Sequence, residues 1–568
     1  MKLTKSGHNL LNTQFSSGEK SFTNKNLKSA NLLHKIASVV SSVEEKYSKD
    51  KKKSAKFNKI FFEMLSNGYF LPNNNILESF CQNKPLFFDF LALESIDGLK
   101  NTFENLKNVV VLQENGITTS LDIRNIGLTD LEEVLKIYNA SLNLVKNTDT
   151  KCGICLPVEG VQILPFVEIS SGETINKLNP FVIISKNFLE AAKSGKKFSF
   201  IDFQNKKKIE KIDADKIFDK ICHIIWEFGP PAIIFSDNIT GFAKGDKNLC
   251  LSPDGSQITE PFEFCPTGAI NMNMFVDKNT INFEKLKEII HDSVRFLDNL
   301  IDCTQTNALE PLKIHNQHRK IGLGVMGFAD MLIKLGIPYN SPKAIQIAEK
   351  LMKFINEEAH KASINLSFEK SPLLDNKNAT ALKKKQKTAR NISITSITQT
   401  GSSSALLGVS SGITPIFAVA YIRKDQKGKE IFEWNKNLEN ILKKEKLFDQ
   451  DLLKEILNEG TILSSQKVPE SIKTLFLSAR EISYEWQIKV AAACQKFTDA
   501  GVSTTITLPQ SATKEDIKNA IFLSQKLKCK SVSFFRIGCK REKILPIAPE
   551  DTGRIAVTSG FSGGNPLI

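Results

Sequence analysis

A chain of 568 residues is too long for one ordinary hydrophobic core and long enough for a large barrel with an added helical domain. Its 41% hydrophobic and 24% charged residues make an ordinary globular balance, no apolar run reaches membrane-spanning length, and the N-terminal MKLTKSGHNLLNTQFSSGEK has no apolar h-region, so a cytoplasmic protein that does not engage a membrane is expected. The net charge of +14 is almost wholly lysine, with only nine arginines, and is scattered in short runs such as KDKKKSAK; these fit solvated faces, and without a zinc finger or RRM signature they rank a small anionic ligand above nucleic acid.

In chain order, residues 1–30 are polar and rich in Ser, Asn and Lys, and read as a disordered lead. From 31 to 150 the pattern is helical: ANLLHKIASVVSSVEEKY and FNKIFFEMLSNGYF place apolar residues at i, i+3 and i+4, and further helices are expected over 97–112 and 129–145. From 152 onward short apolar strands alternate with helices, an α/β pattern in which PAIIFSDN is a buried strand and INFEKLKEIIHDSVRFLDNLID an amphipathic helix. Residues 370–389 read as a lysine-rich loop. Asn391 to Thr398 alternates with period two and predicts a strand, followed by a polar turn, Gln399 to Ser404, that opens onto a helix at Ala405. Small residues there let backbone N–H groups approach an anion, which makes Thr400, Gly401, Ser402 and Ser403 candidate phosphate contacts; an ordinary serine-rich capped turn is the plainer alternative. Finally, VSTTITLPQSATKEDIKNAIFLSQKLKCKSVSFFRIG reads as strand 502–508, a helix from about 513 opened by a Thr513/Asp516 capping box, and strand 530–536. This is a βαβ unit and therefore partly parallel.

The ten cysteines stand at 81, 152, 155, 222, 250, 265, 303, 494, 529 and 539. Cys152-Gly-Ile-Cys155 has no second pair at metal spacing, so two small residues opening a strand are expected rather than a metal or redox centre.

Four of these segments together resemble the ribonucleotide reductase large (catalytic) chain, most of all its adenosylcobalamin-dependent branch: FFEMLSNGYFLPNNN (61–75), KIGLGVMGFADMLIKLGIPY (320–339), RNISITSITQTGSSSALLGVSSGITPIFAVAYIR (390–423) and TITLPQSATKEDIKNAIFLSQKLKCKSVSFFRIG (505–538). The resemblance runs in order from about residue 31 to 540. It implies a ten-stranded α/β barrel of two five-stranded halves. A helical domain and the lead into the barrel would occupy 31–150, the barrel 151–540 with a finger loop at about 246–265, and a tail 541–568. It also implies a ribonucleotide ligand, adenosylcobalamin as cofactor, and a homodimer or pairing with an active reductase chain. Phe534-Phe535-Arg536 gives no support to a tyrosine relay from a separate radical subunit.

In that family a cysteine at the finger tip becomes a thiyl radical and removes the 3′ hydrogen of the ribose. A glutamate acts as base, an asparagine holds the substrate, and two cysteines supply the reducing electrons. Laid without gaps, SPDGSQITEPFEFC (252–265) keeps Pro253, Gly255, Gln257, Pro261, Glu263 and Cys265. It puts Ser252 on the asparagine, Asp254 on the radical cysteine and Ser256 on the base. A second register, with a four-residue insertion, sets Asn248-Leu249-Cys250 on the asparagine–proline–cysteine positions, again without the base. In both, Asp89 stands on the first redox cysteine, and the tail GFSGGNPLI lacks the family's terminal cysteine pair. Hydrogen-atom abstraction needs a thiyl, and the 3′ hydroxyl needs a base at hydrogen-bond distance. Three readings follow: a nucleotide-binding homologue with impaired or absent catalysis; an active adenosylcobalamin-dependent reductase using Cys250 as thiyl, Cys265 as reductant and Asn248 for the substrate; and a scaffold that uses the barrel only as a shape.

Overall fold

In the computed structural model the described residues are 25–48, 50–145, 150–171, 175–239, 250–252, 254–305, 318–371, 389–424, 430–459, 461–540 and 556–558. The expected lysine-rich loop after residue 371, nearly all of the expected tail, and most of the expected polar lead lie outside them. The helix Lys25–Ser42 occupies the end of that lead.

The N-terminal helices Lys25–Ser42 and Lys51–Ser66 form because their apolar residues fall on one stripe, Leu33, Ile36, Ala37 and Val40 on the first and Phe57, Phe61, Met64 and Leu65 on the second, all buried. Asp50 caps the second helix by accepting from Lys52 N–H. The pair packs on the long helix Phe283–Cys303, where Phe61 meets Phe296 edge-on at 5.2 Å.

The strands that build the seven-stranded sheet and one of the three-stranded sheets are β1 Phe70–Pro72, β2 Phe90–Ala92, β3 Thr118–Asp122, β4 Cys152–Pro157, β5 Leu178–Ile184, β6 Ala232–Phe235, β7 Thr267–Asn271, β8 Gly322–Met326, β9 Thr505–Leu508 and β10 Ser531–Arg536. β2 to β6 pair consecutively and all in parallel, in registers such as Leu121↔Ile154 and Ile183↔Ile234. Strands such as CGICLP and AIIF are buried along their whole length, as a parallel sheet covered by helices requires. The helices Gly98–Glu114 and Leu131–Leu144 follow β2 and β3. The parallel array therefore begins inside 31–150, the segment read as a helical domain with the lead into the barrel, and those helices are its crossovers.

A second parallel array runs from β7 to β8, by the bridge Leu323↔Thr395 to the segment 394–397, by Ile397↔Val502 to the segment that contains β9, and on to β10. It meets the first array antiparallel at both seams, through Ser531↔Ile234 on one side and Leu91↔Phe264 on the other. These pairings join two five-stranded parallel halves, the α/β architecture expected from the sequence. Gly324 in β8 is glycine because a Cβ there would stand 2.6 Å from the Ser396 carbonyl oxygen of the neighbouring segment.

The segment 391–398 pairs by isolated bridges where a regular strand was expected. Asp499 is the reason: its carboxylate takes the N–H groups of Ile394 and Thr395 at 3.0 and 3.1 Å, which diverts them from a ladder. The helix that follows begins at Gly401, with Thr400 as its N-cap, rather than at Ala405. The βαβ unit stands as read: helix Lys514–Lys526 carries the reciprocal Thr513/Asp516 capping box, and β9 and β10 are parallel. Among the described residues no helix is long and apolar enough to cross a membrane.

A buried ionic cluster ties the helical layer to the barrel. Glu44 bonds Arg295 at 3.0 Å and Lys370 at 2.9 Å, while Asp298 bonds Arg319 at 2.9 Å and Arg390 at 2.8 Å. Asn391 and Asn299 complete it by hydrogen bonds to Asp298 and Glu44. Burial pushes the Asp298 carboxyl up, but the cations Arg319, Arg390 and Lys370 outweigh it and hold it at about 2.

Candidate functional site

A cavity of about 220 Å³ opens between the two halves. Its walls come from distant parts of the chain: Asn73–Asn75 after β1, Asp89 before β2, the loop 252–257, the turn 398–403, and Phe534 and Phe535 of β10.

The loop rises from a two-residue hairpin in which Cys250 pairs with Thr259 and Leu251 with Ile258. Gly255 turns it at φ +71°, and Asp254 closes the turn by accepting the Ser256 N–H at 3.1 Å. The loop is bolted to the second half of the barrel: Gly501 N–H donates to the Ser256 carbonyl at 2.6 Å, and Gln257 Nε2 donates to Ser396 Oγ at 2.8 Å. Gly501 permits this, since a Cβ there would lie 2.3 Å from the Gly255 carbonyl and 2.9 Å from that of Ser256. The variant Gly501→Ala is accordingly expected to lose about 2–3 kcal/mol, read from urea unfolding; a loss under about 0.5 kcal/mol would show that the loop is not held this way.

Asp254 lines the cavity near the tip of this loop. Its carboxylate accepts from the Ser252 hydroxyl, from the Ser256 hydroxyl at 2.7 and 2.8 Å, and from the Gln399 N–H at 3.3 Å. Ser252 and Ser256 are buried beside it and line the same cavity. The side chain of Cys250, Pro253 and Asn248 lie outside the described residues. The backbone of Cys250 stands in the hairpin, four positions before Asp254.

Asp89 also lines the cavity. Burial pushes its carboxyl up to about 7; bonds from Thr267 and Asn73 pull it down, and the charge of Asp254 adds to the rise. Thr267 Oγ1 donates to its Oδ2. Cys265 does not line the cavity. It is fully buried, its thiol pushed well above the usual range by burial, with Glu263 and Asp89 adding to the rise against the pull of Lys320. Glu263 is engaged elsewhere: it accepts from His318 at 2.8 Å, Lys320 at 2.6 Å and the Glu260 N–H at 3.0 Å, bracing the base of the loop.

The four residues read as phosphate contacts, Thr400, Gly401, Ser402 and Ser403, all line the cavity. Two of their hydroxyls have internal work. Thr400 Oγ1 accepts from Gly412 N–H at 2.8 Å, and Ser403 Oγ donates to the Pro72 carbonyl at 3.2 Å. Asn73–Asn75 join Asp89 and the loop in the cavity wall, although no sequence motif pointed to them as part of the site. Their signal was available as three polar residues directly after the apolar β1. Cys152 opens β4 and Cys155 lies within it, both buried.

The comparisons agree with this geometry. The family model described as "Ribonucleotide reductase, barrel domain" matches residues 125–535. Similar proteins include a vitamin B12-dependent ribonucleoside-diphosphate reductase of Thermoplasma acidophilum, 30% identical over 87% of this chain and 66% of the relative. A protein of the same name from Mycobacterium tuberculosis is 28% identical over 94% of this chain and 78% of its own length. Among solved structures, the class Id ribonucleotide reductase alpha subunit of Actinobacillus ureae shares the fold with a TM-score of 0.75, at 20% identity over 95% of this chain and 98% of that one. With a barrel of two parallel halves, a loop set inside it and a family match over most of its length, the chain belongs to the ribonucleotide reductase large-chain family.

Proposed function

We propose that this chain binds a ribonucleotide in the barrel cavity and has lost, or nearly lost, the conversion to deoxyribonucleotide that supplies DNA precursors. The observation that carries this is Asp254: the loop tip presents a carboxylate held by Ser252, Ser256 and the Gln399 backbone. A carboxylate does not supply the sulfur-centred radical that ribose hydrogen abstraction needs, and Ser256 in the base position does not deprotonate a 3′ hydroxyl. Binding falls to the turn 400–403. Because the Thr400 and Ser403 hydroxyls are bonded within the fold, the anion contacts are assigned to backbone N–H groups of the turn.

The relatives' names support adenosylcobalamin as the cofactor of this branch. When bound, such a group supplies a carbon radical that must be passed to a thiol. The described cavity wall offers Asp89, Asp254 and hydroxyls, a donor set that does not fit that transfer, and Cys265 does not line it. No step is routed through the cofactor. A cytoplasmic location belongs to the same reading. So does a homodimer or pairing with an active reductase chain; Leu99, Phe103 and Leu144 on the two crossover helices are exposed. A plain scaffold role predicts the same pairing without bound nucleotide.

The test supplies the purified chain with each ribonucleoside di- and triphosphate, adenosylcobalamin and a dithiol. The expected result is nucleotide retained at millimolar concentration in equilibrium dialysis and no deoxynucleotide formed. The second reading, an active reductase using Cys250, Cys265 and Asn248, is favoured by the named relatives and by the position of the Cys250 hairpin at the foot of the loop. It predicts turnover that disappears in Cys250→Ser.

A further inference from the structure

One backbone donor of the turn 399–404 is already taken by the chain itself. Gln399 opens that turn, and its N–H donates to Asp254 Oδ2 at 3.3 Å; both residues line the cavity. The other oxygen, Oδ1, accepts the Ser256 N–H at 3.1 Å. Each carboxyl oxygen of Asp254 thus faces an N–H group, which can only donate, and the hydroxyls of Ser252 and Ser256 complete the set. The backbone beneath the carboxyl is clamped. Gly255 N–H donates to the Ser252 carbonyl at 2.8 Å, Ser252 N–H to the Gln257 carbonyl at 3.0 Å, and Gln257 N–H to Ser252 Oγ at 2.8 Å. From outside the loop, Ser531 closes on Gly255, where an added Cβ would collide with its side chain, while Gly501 and Ser396 hold residues 256 and 257. These bonds fix the loop by themselves. The bond to Gln399 differs from them in reaching the turn that carries the anion contacts.

We propose that Asp254 is a fixed internal competitor for this turn: its carboxyl oxygen occupies the Gln399 N–H that a phosphate oxygen of the ligand would otherwise take, and so weakens the binding of anionic ligands in the cavity. This rests on the nucleotide reading and deepens it by naming a residue that sets affinity. The neighbouring hydroxyls offer no replacement. Thr400 and Ser403 are bonded within the fold, and Ser404 Oγ donates to the Gly401 carbonyl at 3.0 Å. An anion at this turn therefore depends on backbone N–H groups. A single N–H makes one good hydrogen bond, so a ligand oxygen gains that bond only by displacing Asp254. Because the loop is clamped on both sides of the carboxyl, the competitor stays in place and acts on every anion that enters.

The test is calorimetric titration of the full chain and of Asp254→Asn with inorganic pyrophosphate and with adenosine diphosphate. The single oxygen of the asparagine stays on the Ser256 N–H, and its NH₂ group cannot accept from Gln399. The variant is expected to bind both ligands about tenfold more tightly, the worth of one recovered hydrogen bond, and to exchange the Gln399 amide hydrogen faster when no ligand is present. Asp254→Ser, too short to reach Gln399, carries the same two expectations if the asparagine variant does not fold. Affinity equal to or below that of the unaltered chain overturns the inference, reduces the Gln399 bond to a stitch of the loop, and leaves the nucleotide reading standing. An equal gain in Asp89→Asn, whose side chain lines the same cavity without bonding the turn, overturns it in favour of a general effect of cavity charge. If neither ligand binds the unaltered chain or any variant, the nucleotide reading itself fails and this inference falls with it.

Discussion

Replacing Asp298 with alanine is expected to lower the unfolding free energy by about 3–5 kcal/mol. Asp298 has no exposure and compensates Arg319 and Arg390, both themselves largely buried. Removing it leaves two guanidinium groups and the nearby Lys370 without their counter-charge, while Glu44 remains shared between Lys370 and Arg295. The effect has a pH signature. Because the folded state holds this carboxyl at about 2, below its ordinary 3.8, its contribution is fully present above pH 4 and is lost as pH falls through 2. The unaltered chain should lose roughly 2 kcal/mol over that interval from this group alone, and Asp298→Asn should not show that loss. Urea unfolding at a series of pH values checks both. A deficit below about 1 kcal/mol for the alanine variant would mean that water reaches the cluster and replaces the carboxylate.

Asp89→Asn is expected to act with the opposite sign. Its carboxyl is raised in the folded state from 3.8 to about 7, so the native chain binds that proton more tightly than the unfolded chain does. Stability therefore falls as pH rises from about 4 to 7 and stays lower above it. The shift sets a ceiling of about 4 kcal/mol, and partial solvent access at the cavity wall reduces the expected value to about 2 kcal/mol. The asparagine variant should thus be more stable than the unaltered chain at pH 8 and nearly equal to it at pH 4. Equal stability at pH 8 would show that the Thr267 and Asn73 bonds cancel the burial of the charge. The pH 8 result bears on the site as well, because a group that destabilises its own fold is retained for a reason outside folding.

How far the sequence could be read depends on the range over which its forces act. The capping box at Thr513 and Asp516, the apolar stripe of Lys51–Ser66 and the buried run Ala232–Phe235 were legible because each is fixed by neighbours within a turn or a strand. The period-two run 391–398 misled for the same reason. Its alternation is genuine, but the side chain of Asp499, about a hundred residues away, takes two of its N–H groups. The early barrel strands β2 and β3 were hidden because three to five residues between long helices carry little periodic signal.

The amino-acid order alone determined that this is an α/β chain of the ribonucleotide reductase family; that Asp89, Asp254 and Ser256 stand where sulfur and a base would be belongs to the proposal. Only the tertiary structure decided which oxygens share a cavity. It closed two parallel halves against each other at Ser531↔Ile234 and Leu91↔Phe264 and so brought residues 74, 89, 254 and 399 to one space. Hydrogen bonds and charges act over a few ångströms, and separation along the chain carries no information at that scale until the strands are in register.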